Sequence, residues 1–465
     1  MQPLEPWIER QYRFAAAQML TSISPLKIVK TRAGFGQQIR PLRGAIVASP
    51  VLGAYDPDPD YFFHWYRDSA VVIDALRLLA EAAPAGATRA ALQAHFADFV
   101  HFSLALRDLD GRSLLAAPAW RAAVAEPFRR YLRPDAELAA VHGEAVAGET
   151  RVNPDGTLDI SQWGRPQHDG PALRALALLR WSMPRAWDGE LGASVSELLR
   201  ADLGYTRRHA QQPCFDIWEE EHGLHYYTLR VAASALEQGA DWLERGAQQA
   251  GVQQHGDLSE AQACRTQARA ILSELDGYWH AREGYYRSRV LASGTRSAKE
   301  LDIAVILAVL HAGGSASAGS AGAGGALGAH GVQDPRIQAT LTRLEALFDA
   351  EYPINRGRSA TCAPALGRYA ADRYYSGGAY YFSTLAAAEF YYARAAAAAA
   401  AEALALIERG DAFLRTVRAF TPPGGELSEQ FDQRSGVQTS AKHLAWSYAA
   451  FISCIGARRA AAGRH

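Results

Sequence analysis

The amino-acid sequence predicts an all-α protein whose 465 residues form a single domain, 1–465. Helical periodicity dominates, because apolar residues recur every three or four positions in most segments. Strand patterns are few and short, and no repeat of fixed period indicates a solenoid. Helical patterns of the same kind continue on both sides of the one low-complexity stretch, which argues against a domain boundary there.

The periodicity and the residues at helix ends predict about twelve helices. Asp169, Gly170 and Pro171 begin one of them, since proline fits the first turn of a helix. Ser440 is a candidate N-cap of the last helix, and the alanine run 395–401 favours a helix. The predicted helices span 7–22, 67–83, 87–107, 169–183, 190–209, 223–247, 257–280, 297–311, 335–351, 379–394, 398–418 and 440–458.

Long connections rich in glycine, proline and aromatic residues separate some of these helices, at 40–66, 145–168 and 354–378. Long loops on a regular scaffold commonly carry functional sites. The stretch 313–331 is almost entirely glycine, alanine and serine, a composition that buries too little apolar area to order itself. We interpret it as a flexible surface insertion.

The charge balance argues for a neutral ligand. Lys+Arg and Asp+Glu number 48 and 49, so no basic field exists for nucleic acid or an anionic membrane. No apolar run approaches the roughly 20 residues of a membrane span. Charged residues such as Glu5 and Arg10 occupy the start of the chain, where a signal peptide needs an apolar stretch. We expect a cytoplasmic protein, or a secreted or periplasmic one if a leader has been removed.

Cofactor and metal motifs are absent from the sequence. The four cysteines are Cys214, Cys264, Cys362 and Cys454. Their wide spacing contains no C-x-x-C pair and favours four free thiols. His222 and His225 lie beside three glutamates, but the H-E-x-x-H order of zinc proteases is missing. Since nucleotide and nucleophilic-serine motifs are also missing, we expect neither metal nor cofactor.

The first of three loop stretches that combine aromatic and charged residues runs from Tyr61 to Asp68. Arg67 and Asp68 beside Trp65 suit sugar binding, because aromatic rings stack on a sugar face and charged groups bond strongly to hydroxyls. A helix start with aromatics in the core explains the same residues equally well.

The other two stretches carry glutamates. Beside Trp218, the run Glu219 to Glu221 has a composition that can raise the pKa of one acid through repulsion and burial, as a proton donor to a glycosidic oxygen requires. A solvated acidic helix start is the alternative. Glu429 follows a proline- and glycine-rich turn, and an ordinary surface glutamate is the alternative there.

Six segments, taken together and in order, closely resemble the signatures of the glucoamylase family, glycoside hydrolase family 15 (glucan 1,4-α-glucosidase). They extend over most of the chain, and six in order are far more specific than one short motif. The segments are 44–50, 61–68, 163–174, 216–220, 367–369 with 374–375, and 429–432 with 446–448.

The resemblance implies an (α/α)6 barrel of six inner and six outer helices, with the active site in loops at one end. It also implies inverting hydrolysis at the non-reducing end of α-glucans. Glu219 matches the general acid and Glu429 the general base, and an inverting pair stands about 6.5–9.5 Å apart.

The resemblance assigns the remaining site residues to substrate binding or to support of the two glutamates. Hydroxyl-binding groups match Arg67, Asp68 and Arg368, and aromatic walls match Trp65 and Trp163. The other matches are Tyr61 beside the base, Glu220 as a substrate-binding carboxylate, Trp218 beside the acid and Trp446 near the base. We expect an α-glucan as the partner, no nucleic acid or membrane, and a monomer.

Three departures from the family pattern leave the substrate open. They are His168, Tyr66 and Tyr380, which stand where relatives often have arginine, a small hydroxyl residue and tryptophan. The tryptophan commonly lines outer subsites, so chain-length preference is in doubt. A glucodextranase, isomaltosidase or trehalase with the same glutamate pair is the main alternative. A helical barrel that binds oligosaccharides without turnover is the other.

Overall fold

The computed structural model describes residues 4–54, 58–117, 119–183, 187–249, 255–313 and 329–463. Within these ranges the chain forms fifteen α-helices and twelve short β-strands. The helices are α1 (Leu4–Thr21), α2 (Tyr66–Ala82), α3 (Ala87–Ala105), α4 (Gly111–Ala116), α5 (Ala119–Ala123), α6 (Asp135–Ala140), α7 (Asp169–Ser182), α8 (Gly189–His209), α9 (Tyr226–Gln249), α10 (His255–Asp276), α11 (Ala304–Gly313), α12 (Pro335–Glu351), α13 (Tyr381–Ala395), α14 (Ala400–Phe420) and α15 (Ala445–Ala462).

The strands form small antiparallel sheets of two or three strands in the loops. They are β1 (Lys30–Arg32), β2 (Gln37–Ile39), β3 (His64–Trp65), β4 (Arg151–Val152), β5 (Cys214–Phe215), β6 (His222–His225), β7 (Trp279–His280), β8 (Tyr285–Tyr286), β9 (Arg289–Leu291), β10 (Ala379–Tyr380), β11 (Gln430–Phe431) and β12 (Gln438–Thr439). The sheets pair as β1–β2, β3–β4, β5–β6–β9, β7–β8 and β10–β11–β12.

Six helices form a closed inner ring. Helices α2, α7, α9, α11, α13 and α15 each pack against the next, and α15 packs back against α2. The outer helices α3, α8, α10, α12 and α14 each pack against a ring helix that is adjacent in sequence, and α1 packs against α15 from the other end of the chain. This arrangement is an (α/α)6 barrel, and it confirms the predicted fold class.

The ring helices are buried over most of their length, and α7 and α11 almost completely, which explains their composition. Every residue of α7 from Asp169 to Trp181 is buried, as are eight of the ten residues of α11. Outer helices such as α1 bury one face and expose the other, as an amphipathic helix on a core does. The ring therefore forms the hydrophobic core.

The inner helices all present their N-termini at one end of the barrel, where the long loops meet. The family-like segments of the sequence lie in or beside the loops that precede α2, α7, α9, α13 and α15. Helix N-termini bear partial positive charge, so this end of the barrel favours carboxylates and polar ligands.

All twelve predicted helices are present, but two begin five or more residues later than predicted. Helix α11 begins at Ala304, not 297, because the carboxylate of Asp302 accepts the N–H of Ala304 at 2.8 Å and acts as its cap. Helix α15 begins at Ala445, not 440. Ser440 has a φ of 63° and does not cap the helix, because its hydroxyl donates to the carboxylate of Glu429.

The alanine run 395–401 contains a break between helices, close to the predicted bounds 379–394 and 398–418, although its composition favours a helix. Helix α13 ends at Ala395 and α14 begins at Ala400. Alanine favours helix interiors but has no side chain that marks an end. The short helices α4 to α6 were not predicted, because five or six residues show no periodicity. Most of the predicted insertion 313–331 lies outside the described residues, and all four cysteines are free.

Candidate active site

A cavity of about 370 Å³ opens among the loops at the N-terminal end of the inner helices. All eleven residues that the sequence predicted as catalytic or substrate-binding line this cavity. They are Tyr61, Trp65, Arg67, Asp68, Trp163, Trp218, Glu219, Glu220, Arg368, Glu429 and Trp446. The fold therefore brings the separate loop stretches to one place.

Glu219 lies in a tight turn between β5 and β6. Its φ is 66°, in the left-handed region that non-glycine residues rarely adopt. The N–H of Glu219 donates to the carbonyl of Asp216 at 2.9 Å. The carboxylate of Asp216 accepts the N–H groups of Glu220 at 2.7 Å and Glu221 at 3.0 Å. Strained backbone of this kind persists where neighbouring groups hold it, and it clusters at functional sites.

The carboxyl group of Glu219 is surrounded by donors. The indole N–H of Trp65 donates to Oε1 at 2.7 Å, and Arg67 donates to the same oxygen at 3.2 Å. The indole N–H of Trp163 donates to Oε2. Three donors, one of them cationic, stabilise negative charge on this group.

Glu429 lies immediately before β11 and lines the same cavity as Glu219. Its carboxylate accepts hydrogen bonds from the hydroxyl of Ser440 and, at 3.3 and 3.4 Å, from the hydroxyl of Tyr61. Burial raises the pKa of Glu429 to about 7, against the lowering effects of Ser440, Arg368 and Tyr61. The group therefore binds a proton more strongly than an ordinary glutamate does.

Arg67 and Asp68 occupy the first turn of α2. Arg67 donates to Gln167 at 2.7 Å and to Asp169 at 3.1 Å, in addition to Glu219. Burial opposes its charge, but the surrounding carboxylates hold the pKa of Arg67 above its usual value. Burial raises the pKa of Asp68 to about 6, although Arg67 lowers it. The pair presents a cation and an acceptor to a ligand.

Glu220 and Arg368 belong to a second charged cluster of the cavity wall. Arg368 donates to Asp372 at 2.6 and 2.7 Å and to Glu220 at 3.1 Å. Glu220 also accepts the hydroxyl of Tyr369 at 2.8 and 2.6 Å and the ammonium of Lys299 at 2.6 Å. These contacts fix Glu220 with its carboxylate at the cavity.

Aromatic rings form the floor and one rim. Phe382 stacks on Trp446, with ring centroids 4.5 Å apart and 9° between the ring planes. It also stacks on Trp218, with centroids 6.1 Å apart and 18° between the planes. Phe382 and Trp446 are also the two residues shared with a smaller cavity of about 40 Å³ inside the barrel. Their rings therefore separate the two cavities and close the larger one from below. At the rim, Trp163 remains 41% exposed.

Four residues that contribute to this site were not predicted as site residues from the sequence. Tyr374 lines the cavity, and its hydroxyl oxygen lies 2.7 Å from the hydroxyl oxygen of Tyr61. Phe382 forms the floor, Lys299 contacts Glu220, and Ser440 contacts the candidate base. The signal for Tyr374 was its place in a family-like segment, whereas nothing in the sequence pattern distinguishes Phe382 from a core residue.

Tyr380 does not line the cavity, so the expectation that it decides outer-subsite preference is wrong. It is 1% exposed, and its hydroxyl accepts the side-chain N–H of Gln430 at 2.8 Å. A buried ring behind the wall cannot stack on a sugar. His225 is also buried and does not line the cavity, and its Nε2 lies 2.9 Å from the carbonyl oxygen of Cys214.

The described part of the chain contains no group of three or more histidine, cysteine, aspartate or glutamate side chains that could hold a metal ion. Within the same ranges, no helix has the length and apolar character needed to cross a membrane.

The chemistry that this cavity supports is acid–base hydrolysis of a glycosidic bond. Two carboxyl groups in different environments face one space, as such hydrolysis requires. Aromatic rings and paired charges surround them and provide stacking surfaces and hydroxyl partners. Fold and site together define a glycoside hydrolase with a barrel of paired helices.

The chain belongs to glycosyl hydrolases family 15, because the profile of that family matches residues 141–456. A probable glucoamylase of Schizosaccharomyces pombe is 26% identical over 505 residues, which cover 99% of this chain and 93% of that protein. A glucoamylase of Neurospora crassa is 28% identical over 454 residues, which cover 90% of this chain and 63% of that protein.

Solved structures show the same fold. The structure of Hormoconis resinae glucoamylase superposes with a TM-score of 0.73 at 25% identity and covers all of this chain and 74% of that one. The glucoamylase from Saccharomycopsis fibuligera superposes with a TM-score of 0.76 at 20% identity and covers 99% of this chain and 96% of that one. The second similarity concerns the fold alone.

Proposed function

We propose that the chain is an inverting, exo-acting glucoamylase. It releases β-D-glucose from the non-reducing ends of α-1,4-linked glucans and, more slowly, hydrolyses α-1,6 bonds. Glu219 is the general acid and Glu429 the general base. The observation that carries the proposal is that both glutamates line one cavity whose remaining walls consist of aromatic and charged sugar-binding groups.

The closed floor supports the exo mode of action. The cavity ends on the rings of Phe382 and Trp446, beneath which the inner helices pack. A pocket that is closed at the bottom admits the end of a glucan, whereas an internal segment needs an open cleft with two exits. We also propose that 1–465 acts as one catalytic domain, since the ring uses helices from both ends of the chain.

The proposed reaction is a single displacement. Glu219 donates its proton to the glycosidic oxygen, and the bond from that oxygen to the anomeric carbon breaks. The donors Trp65, Arg67 and Trp163 then stabilise the carboxylate that remains. A water molecule attacks the anomeric carbon from the opposite face and gives its proton to Glu429. One displacement at an α-linked carbon yields β-glucose.

Positioning of the sugar falls to the charged pairs of the wall. Arg67 with Asp68 and Arg368 with Glu220 offer both donors and acceptors to hydroxyl groups. Charge-assisted hydrogen bonds of this kind are stronger than neutral ones and fix orientation. The raised pKa of Glu429 makes its ionised form a stronger base toward the attacking water.

Substitution of each glutamate by glutamine tests the assignment. Glu219→Gln and Glu429→Gln should each lower kcat on maltose by at least about 10²–10⁴-fold, because each removes one proton-transfer group. Maltotriose should still bind in calorimetry. Glu426→Gln is the matched control, since Glu426 precedes the base in the same loop but does not line the cavity. Activity close to wild type in either variant would rule out the assigned pair.

A further inference from the structure

Arg289 is a fully buried arginine behind the cavity wall, outside the set of residues that line it. It begins β9, which pairs with β6 so that Arg289 lies opposite His225. Its guanidinium donates to three carboxylates on two different loops. These contacts reach Asp216 at 2.8 Å, Glu221 at 2.9 Å and, in a closer contact, Asp302.

The first two contacts hold the turn that carries the proposed acid. One oxygen of Asp216 accepts Arg289, and the other accepts the N–H groups of Glu220 and Glu221. Arg289 therefore fixes the carboxylate that closes the turn. Between these residues Glu219 has its left-handed φ of 66°, a conformation that surrounding contacts must hold in place.

The third contact holds a wall residue of the cavity. The carboxylate of Asp302 accepts both Arg289 and, at 2.8 Å, the indole N–H of Trp218. Trp218 immediately precedes Glu219 in the chain and stacks on Phe382. The guanidinium of Arg289 thus connects Asp216, whose carboxylate closes the turn of Glu219, with Trp218 through Asp302.

We propose that Arg289 is the positioning residue of the acid turn, and that through Asp216 and Asp302 it sets where the carboxyl group of Glu219 lies. The proposal rests on the proposed function for its effect on turnover. Arg289 touches no reacting atom and acts only through its partners. A planar guanidinium can bond to several carboxylates in fixed directions, and a lysine ammonium cannot reproduce that geometry.

The charges of the cluster agree with this role. Burial raises the pKa of Asp216, but Arg289, His225 and the turn's N–H groups together hold it below its usual value. Without the guanidinium, Asp216 and Asp302 each lose the one ion pair that they make in the described part of the chain and remain buried. Uncompensated buried carboxylates take up protons or move toward water, and either change releases the turn.

The test compares Arg289→Lys with wild type by kinetics and by spectroscopy. Arg289→Lys should lower kcat on maltose about 10- to 100-fold, the scale of a misplaced catalytic group. KM should change by less than about threefold, because Arg67 and Asp68 still hold the sugar. Asp302→Asn should change these quantities in the same direction and less.

Indole N–H resonances of isotope-labelled tryptophan test positioning without turnover. In Arg289→Lys the resonances of Trp65, Trp163 and Trp218 should move, because each indole bonds to a carboxylate that the turn or Asp302 supplies. This readout remains informative if wild type hydrolyses none of the glucans tested. In that case the proposed function fails, and the resonances alone decide on positioning.

Arg458→Lys is the matched control. Arg458 donates to Asp411 at 2.8 and 3.2 Å near the far end of α15, away from the cavity. Arg458→Lys should lower thermal stability without changing kcat, KM or the three resonances. If Arg289→Lys loses stability while the resonances and the kinetics stay unchanged, Arg289 has a merely structural role and the proposal is overturned.

Discussion

The hydrogen bond from Ser440 to Glu429 determines how firmly the proposed base holds its proton. Both side chains are almost fully buried, so solvent screens the interaction little. A hydrogen bond to a charged group contributes about 1.5–3 kcal/mol, and one pKa unit corresponds to about 1.36 kcal/mol. The variant Ser440→Ala should therefore raise the pKa of Glu429 by about one to two units from its value of about 7.

The sign follows from the role of a base. Glu429 acts only when ionised, so activity falls as the pH decreases through its pKa, and a higher pKa moves this acidic limb to higher pH. The assay is kcat/KM on maltose over the full pH range at which the protein stays folded. Ser447→Ala is the control, because Ser447 is equally buried but donates to the carbonyl of Ser428 at 2.8 Å. An unmoved limb in Ser440→Ala, or an equal shift in both variants, refutes the reasoning.

Two further substitutions test the electrostatics and the floor of the cavity. Asp68→Asn should move the acidic limb of kcat/KM to lower pH, because the charge of Asp68 raises the pKa of Glu429. The same variant should raise KM on maltose, because a sugar hydroxyl loses its charged partner. An acidic limb that moves to higher pH contradicts this account. Phe382→Ala should reduce the free energy of unfolding, measured by chemical denaturation, by about 3–5 kcal/mol, because the ring is buried between Trp218 and Trp446. A loss below about 1 kcal/mol would mean that the cavity floor is not tightly packed.

The sequence predicted the long helices from their composition and apolar pattern, and the family resemblance implied the closed ring. Helix α7 is buried from Asp169 to Trp181, and leucine and alanine fill most of that length, a composition that can be recognised without a structure. Short helices such as α4 and α5 have no such pattern. The break after Ala395 lies close to the predicted bounds, but alanine carries no capping group, so packing decides at which residue each helix ends.

The site residues were predicted through family resemblance, and chemistry alone left each one undecided. Arg67 and Asp68 begin a helix, as one interpretation of that stretch predicted, and they also line the cavity in which the other interpretation places a sugar. Ser440 was assigned to the wrong partner, because a serine before a helix and a serine beside a buried carboxylate look the same in sequence. Contacts across the barrel, such as Lys299 with Glu220, depend on the closed ring and cannot be read from local spacing.

The most direct test of the central claim is the anomer of the first glucose released from maltose and soluble starch, followed by proton NMR before mutarotation. Isomaltose, dextran and trehalose tested in parallel define the bond that is cleaved. The account predicts β-glucose from maltose and starch, because a single displacement between Glu219 and Glu429 inverts the α-linked carbon. Initial α-glucose would contradict the account, since it requires a second displacement that this pair of glutamates is not proposed to perform.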